Sequence, residues 1–417
     1  DNTTNSRSTP MQTESLGDNR TAVAISSGNY HTCAILDDGS VSCWGRNNVG
    51  QLGDNTTTDR HVPTQTGSLG ENRTAIAIST GDNAHTCAIL DDGSVSCWGY
   101  NLFGQLGDNT TTSRHVPTQT EGFVENRTAI SIAGGAFFTC AILDDGSVSC
   151  WGNLPLTGSN TLTPTQTESL GDNRTAVSVS VGGVHTCAVL DDGSVACWGS
   201  NYQGQLGDNT TNSRDTPMQT ESLGDNRTAV SVSAANYYTC ALLDDGSVSC
   251  WGSNSNGQIG DNTTTDRLTP TQTESLGDNR TAVSVSAGGY HTCAALDDGS
   301  VSCWGSNSNG QIGDNTTTDR LTPTQTASFA IPVFHEATRT SQTECPVGTY
   351  QPGSGQTSCI EATSGHYVDT NGSVSQTPCS PGTWQSQTGQ ASCTNASAGH
   401  YVDTNGSAVQ TPCGLGT

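Results

Sequence analysis

The side chains whose types and spacing could do chemistry in this sequence are cysteine, histidine, aspartate and the asparagine of N-x-Ser/Thr triplets. Twelve of the 17 cysteines fall in six pairs ten residues apart: Cys33 and Cys43, Cys87 and Cys97, Cys140 and Cys150, Cys187 and Cys197, Cys240 and Cys250, Cys293 and Cys303. No Cys-x-x-Cys occurs, which removes the common zinc and dithiol spacings, so the pattern reads as disulfides made in an oxidising compartment. Histidine stands two residues before the first cysteine of four pairs, at His31, His85, His185 and His291, and could supply metal ligands. The same slot holds Phe138 and Tyr238 in the other copies, so packing with a hydrogen bond explains it better than ligation.

The Asp-Asp-Gly triplets, such as Asp37-Asp38-Gly39, offer two carboxylates, few against the roughly six to eight oxygens that calcium takes. Turn formation accounts for them. No His-Glu-x-x-His or Gly-x-Ser-x-Gly is present, and a phosphate loop is ruled out because all 14 basic residues are arginine. The expectation is therefore no catalytic residue, no metal, no cofactor and no enzyme activity.

Glycosylation acceptors are abundant: Asn2, Asn19, Asn55, Asn72, Asn109, Asn126, Asn173, Asn209, Asn226, Asn262, Asn279, Asn315, Asn371, Asn395 and Asn405. Most fall at two fixed phases of a repeat, an Asp-Asn-Thr-Thr loop and an Asn-Arg-Thr triplet. Asn and Thr are also good turn residues, so copying of a turn is the competing explanation.

A net charge of −25 with arginines spread singly beside acids excludes the clustered positive charge that nucleic acid needs. It reads as a soluble, self-repelling surface. No apolar run is long enough to cross a membrane, so no membrane insertion is expected in this segment. The chain starts at Asp1, so the lack of a signal peptide reads as a processed or partial chain.

The elements that position these residues are repeats. Cys-Trp-Gly recurs with tryptophan at Trp44, Trp98, Trp151, Trp198, Trp251 and Trp304, in steps of 54, 53, 47, 53 and 53 residues. In one unit, Thr281–Ser286 alternates with Val283 and Val285 expected on one buried face. His291–Leu296 and Ser300–Trp304 flank the Asp-Asp-Gly turn, and Leu268–Thr273 carries a proline that suits a sheet edge. A three-residue loop sets Leu36 against Ser40, Ile35 against Val41, Ala34 against Ser42 and Cys33 against Cys43. The rival two-residue turn would put Cys33 opposite Trp44 and spoil the bridge. Each such bridge is worth roughly 2 to 3 kcal/mol by chain entropy.

Four strands per unit is the arithmetic of a propeller blade. The strand His-Thr-Cys-Ala-Leu, the Asp-Gly turn, Val-x-x-Trp-Gly and Asn-x-x-Gly-Gln-Leu/Ile-Gly (Asn47 to Gly53, Asn101 to Gly107, Asn201 to Gly207, Asn254 to Gly260, Asn307 to Gly313) resemble the repeat of the regulator of chromosome condensation family over about residues 1–328. The resemblance implies an all-β propeller of four-stranded blades, with seven blades where six hairpins are visible. It leaves function open, because that family includes exchange factors, photoreceptors and secreted inhibitors. The paired cysteines and lysine-free surface of this chain speak against chromatin or small-GTPase work. Residues 1–13 match residues 208–220 inside a unit, differing only at Ser8 against Asp215. Either an upstream piece completes a seventh blade, or Gln311 to Thr326 and the first residues share one. The third unit replaces the Gly-Gln-Leu-Gly-Asp segment with Asn153–Gly158.

Residues 329–344 read as a linker. From 345 to 417 another repeat runs with Cys345, Cys379 and Cys413 spaced by 34, as are Cys359 and Cys393. The expected pairs are Cys345 with Cys359 and Cys379 with Cys393, leaving Cys413 for a partner about 14 residues further on. This segment is similar to cysteine-rich repeats of the ephrin-receptor and tumour necrosis factor receptor type, with two cysteines per unit missing. Such modules depend on bridges and serve as stalks.

The leading functional expectation is an extracellular or cell-surface structural or adhesive glycoprotein, such as a fibre subunit, with itself, other surface proteins or glycans as partners. The alternative is a secreted binding module or inhibitor that uses propeller-face loops. Near-identity of the loops, apart from Asn153 to Asn160, weighs against one asymmetric partner.

Overall fold

The computed structural model describes residues 1–17, 20–155, 160–171, 173–327, 345–350, 359–371 and 373–414. Two compact units appear, Asp1–Ala330 and Ile331–Thr417. The expected linker, 329–344, lies outside the described residues.

In the first unit β1 (Ala22–Ser27), β2 (His31–Leu36), β3 (Val41–Gly45) and β4 (Arg60–Gln65) form one antiparallel meander. Five further four-stranded sheets of the same order follow, ending with Arg320–Gln325. Among the described residues the unit is an all-β propeller of six four-stranded blades, where the sequence resemblance implied seven. The hairpin register is the one that the three-residue loop requires, with Ile35 against Val41 and Ala34 against Ser42. Cys33 stands opposite Cys43 with Cα atoms 4.1 Å apart, the close spacing of a pair that shares no ladder hydrogen bonds.

One strand expectation is corrected. In every blade the first strand carries a β-bulge, so Ala282 pairs Leu296 while Ser284 pairs Ala295, and Val283 is the extra residue. The bulge changes the parity of the strand. Val285 is buried, and Val283 is turned out of the core with 59% of its surface exposed. The fourth strands lie on the outer edge, where a missing amide costs no ladder bond.

Among the described residues the core is divided rather than single. Five buried clusters each join one blade to the next; in the first, Cys33, Ile35, Val41 and Leu52 meet Ala75, Ala88, Leu90 and Trp98. Residues Gln311 to Thr326 belong wholly to the sixth blade, since Arg320 pairs with Gly305. The N-terminal segment lies beyond that blade and does not share it. Asn315 N–H donates to Ser8 O at 3.0 Å, as Asn262 N–H does to Leu321 O in the interior.

The second unit is a ladder of two-residue strand pairs beginning at Thr349, His366, Thr383 and His400, a step of 17 residues. Cys345 bridges Cys359 and Cys379 bridges Cys393. At the equivalent places between them stand Ala362 with Gln376 and Ala396 with Gln410, and each glutamine Oε1 accepts the next backbone N–H (Thr363 and Ser397, both 2.7 Å). Turns are tied to the following rung by Gly348 N–H to Val368 O, Gly365 N–H to Gln385 O and Gly382 N–H to Val402 O. The missing cysteines of the 34-residue pattern are thus positions where an amide does the bridging. Cys413 is exposed and free.

Candidate functional site

The histidine slot is an inter-blade spacer. His31 Nε2 lies 2.9 Å from Thr86 Oγ1, His85 3.0 Å from Thr139 and His185 2.7 Å from Thr239, each reaching into the next blade. Thr86 and Thr139 spend their own hydroxyl protons on Gln51 O and Gln105 O. The imidazoles must therefore donate from Nε2, which leaves Nδ1 a buried lone pair without a partner. A second proton would find no acceptor there. Burial pulls His31 down to about 4 and His85 and His185 to about 3. His291 is also lowered by burial. Where tyrosine fills the slot, Tyr238 donates to His291 O, and its oxygen lies 3.0 Å from Thr292 Oγ1.

Tryptophan has the same inter-blade duty. The carbonyl of Gln51 accepts both Thr86 and the Trp98 indole N–H at 3.0 Å, and Gln105, Gln205 and Gln258 do likewise for Trp151, Trp251 and Trp304. The glutamine of Asn-x-x-Gly-Gln is therefore the socket for the next blade. The third blade lacks it, its third strand running on to pair Asn153 with Asn160.

The Asp-Asp-Gly carboxylates are engaged. Asp38 Oδ1 accepts Ser40 N–H and Oγ–H, its Oδ2 meets Arg20 at 2.9 Å, and the Ser40 hydrogen bonds hold its pKa below the usual carboxylate range. Among the described residues, no group of three or more His, Cys, Asp or Glu side chains could hold a metal ion.

A network not anticipated from sequence anchors the outer loops. Asn47 is fully buried; its Oδ1 accepts Leu52 N–H and its Nδ2 donates to Asp54, Thr56 O and Thr58 O. Asp54 in turn accepts Arg60 Nε at 2.8 Å. The arrangement recurs at Asn101, Asp108 and Arg114, and in three later blades. Its signal was the constant Asn, Asp and Arg spacing of seven and six residues.

The described acceptor asparagines are all exposed. Those of the propeller, Asn2, Asn55, Asn72, Asn109, Asn126, Asn173, Asn209, Asn226, Asn262, Asn279 and Asn315, have left-handed backbones with φ of 53 to 62°, a region that asparagine tolerates. Asn371, Asn395 and Asn405 lie on the second unit, and Asn19 lies outside the described residues.

The blades give the propeller two unlike faces. One carries the Asp-Asp-Gly hairpins and the Asn-Arg-Thr connections, with open polar clefts of about 310 to 570 Å³ between neighbours. Four of them are lined by the same residue types, for example Asp245, Gln272, Glu274 and Arg280. The other carries the turns before the second strands and the starts of the outer loops. Loop differences are not confined to Asn153–Asn160: this second face varies at several blades, and the first face at the 122–126 connection.

A succession of disulfide-closed, four-stranded blades that pack tryptophan against a neighbour's backbone defines a repeat β-propeller. Comparison with known proteins supplies the family: a model of the RCC1-like domain matches residues 2–348, and the chain belongs to that family. A second model, described as tyrosine-protein kinase ephrin type A/B receptor-like, matches residues 338–379. The ultraviolet-B receptor UVR8 of Arabidopsis thaliana is 33% identical over 325 residues, 76% of this chain and 72% of that protein. The human E3 ubiquitin-protein ligase HERC2 is 27% identical over 71% of this chain, which spans only 5% of that protein. Among solved structures, yeast RCC1 (Prp20) bound to Kap60 has a TM-score of 0.66 at 21% identity, covering 74% of this chain and 76% of that one. Human WBSCR16 has a TM-score of 0.66 at 20% identity, covering 75% and 83%. Among the described residues, no helix is long and apolar enough to cross a membrane.

Proposed function

We propose that this chain is an extracellular adhesive scaffold, a disulfide-locked propeller that holds protein partners on its loop faces and performs no catalysis. Self-association into a fibre is one form of that activity, and the exposed asparagines carry N-linked sugars. The observation that carries the reading is the closure of every blade's central hairpin by a cysteine pair. Reducing cytosol would keep twelve such thiols free, and the blades would lose the loop-closure contribution. The ephrin-receptor-like match, a type of module found on cell surfaces, supports the same compartment.

The test is surface proteolysis of native-source cells, followed by mass mapping without reductant. Expected are propeller peptides released from intact cells, linked as Cys33–Cys43 and its counterparts, with hexose increments on peptides such as that containing Asn55. Free thiols in the blades, or a chain recovered only from cell interiors, would overturn the proposal.

A further inference from the structure

The Asp-Asp-Gly-Ser hairpin is identical in all six blades, whereas the opposite face varies. In blades two and three that variation is aromatic. Tyr100, Phe103 and Phe137 form a chain of edge-on rings, with centroids 6.1 Å and 5.0 Å apart. Leu102 stands beside them, 56% exposed. The loop fold does not require Tyr100, Leu102 or Phe103, because the fifth blade holds Ser253, Ser255 and Asn256 in their places, while Phe137 stands where that blade has Tyr237.

A turn one residue longer in blade two, Gly81-Asp82-Asn83-Ala84, brings an acidic residue to the same blade boundary. Asp82 N–H donates to Gly135 O at 3.1 Å, two residues before Phe137, and Tyr100 N–H donates to Ala84 O at 2.9 Å. Burial alone raises the Asp82 pKa, with no hydrogen bond or charge to offset it. A partly desolvated carboxylate without a partner is costly, and aromatic rings attract cations.

We propose that Asp82, Tyr100, Phe103 and Phe137, with Leu102, form a docking site for a partner protein that presents an arginine or lysine next to an apolar side chain. The inference rests on the scaffold reading and names its binding face. A second copy of the chain is a poor source of that cation. The chain has no lysine, and every described arginine except Arg46 is ion-paired to an acid of its own chain. Arg46 itself lies over Tyr30, 5.2 Å from the ring centroid. A net charge of −25 favours encounter with a basic partner.

The experiment selects random decapeptides displayed on phage against the immobilised full chain, then measures the strongest binder as a synthetic peptide. Expected is a pool enriched in Arg or Lys beside Leu, Phe or Met. Asp82→Asn and Phe103→Asn, the latter being the residue already present in blade five, each weaken the peptide tenfold or more, while Tyr202→Ala on blade four does not. A pool without basic residues, or equal binding to Asp82→Asn, overturns the proposal. So does a dimer in sedimentation that Phe103→Asn abolishes, or a glycan-array signal lost with the same variant. Absence of peptide binding with all blade disulfides intact sinks this site alone, whereas free blade thiols sink the scaffold reading.

Discussion

Both units of this chain are repeat arrays, yet they hold together by opposite means. A propeller blade hands its neighbour a tryptophan, a threonine and a row of aliphatic side chains, so its disulfide reinforces a hairpin that packing already fixes. The C-terminal ladder buries only Cys345, Ala362, Val368, Cys379 and Val402 among its described apolar residues, and the covalent bridge stands where a core would be. The same bond therefore supplements structure in one region and substitutes for it in the other.

The largest effect that would break this contrast is loss of a bridge in the ladder. Cys379→Ala with Cys393→Ala should remove about 2–5 kcal/mol, enough to abolish order across the neighbouring rungs. The matching pair of changes at Cys87 and Cys97 should leave the propeller folded with a lower Tm. Limited proteolysis distinguishes the two, and equal resistance in both variants would erase the distinction. Next in size, Trp151→Ala should cost about 3–5 kcal/mol by denaturant unfolding, because the side chain is fully buried and bonded across the interface. Trp44, less buried and without such a carbonyl, should cost clearly less.

A smaller loss, about 1–3 kcal/mol, is expected for Asn101→Ala, which strands Leu106 N–H and takes one donor from Asp108. The interfaces should also respond to acid. His31, His85 and His185 are depressed from 6.5 to about 4, 3 and 3, so their contribution is full above pH 6.5 and declines as pH falls through those values. The unfolded chain takes up the protons first. Replacing all three with phenylalanine, the residue at position 138, should flatten Tm between pH 6.5 and 4, where the native protein loses stability.

The hairpin register could be read from sequence because a ten-residue cysteine interval and a Gly-ended turn admit one pairing with both cysteines opposite. Blade order followed from the recurring tryptophan. The bulge at Val283 could not be read, since strict alternation looks regular until the partner strand shows an extra residue. The ladder's true step of 17 was hidden because Ala362 and Gln376 do by packing and hydrogen bonding what cysteines do in adjacent rungs. The aromatic patch was invisible for another reason. Phe103 and Phe137 are far apart in sequence and meet only when neighbouring blades bring two ordinary loops together.

The contrast between the two arrays is tested most directly by stepwise reduction of the native protein, with each thiol trapped and located by mass spectrometry. Cys359 and Cys393, which reach the surface, should release their bridges at low reductant while the buried pairs of the interior blades stay closed. Release of Cys87–Cys97 or Cys140–Cys150 before or together with the ladder bridges would contradict that contrast.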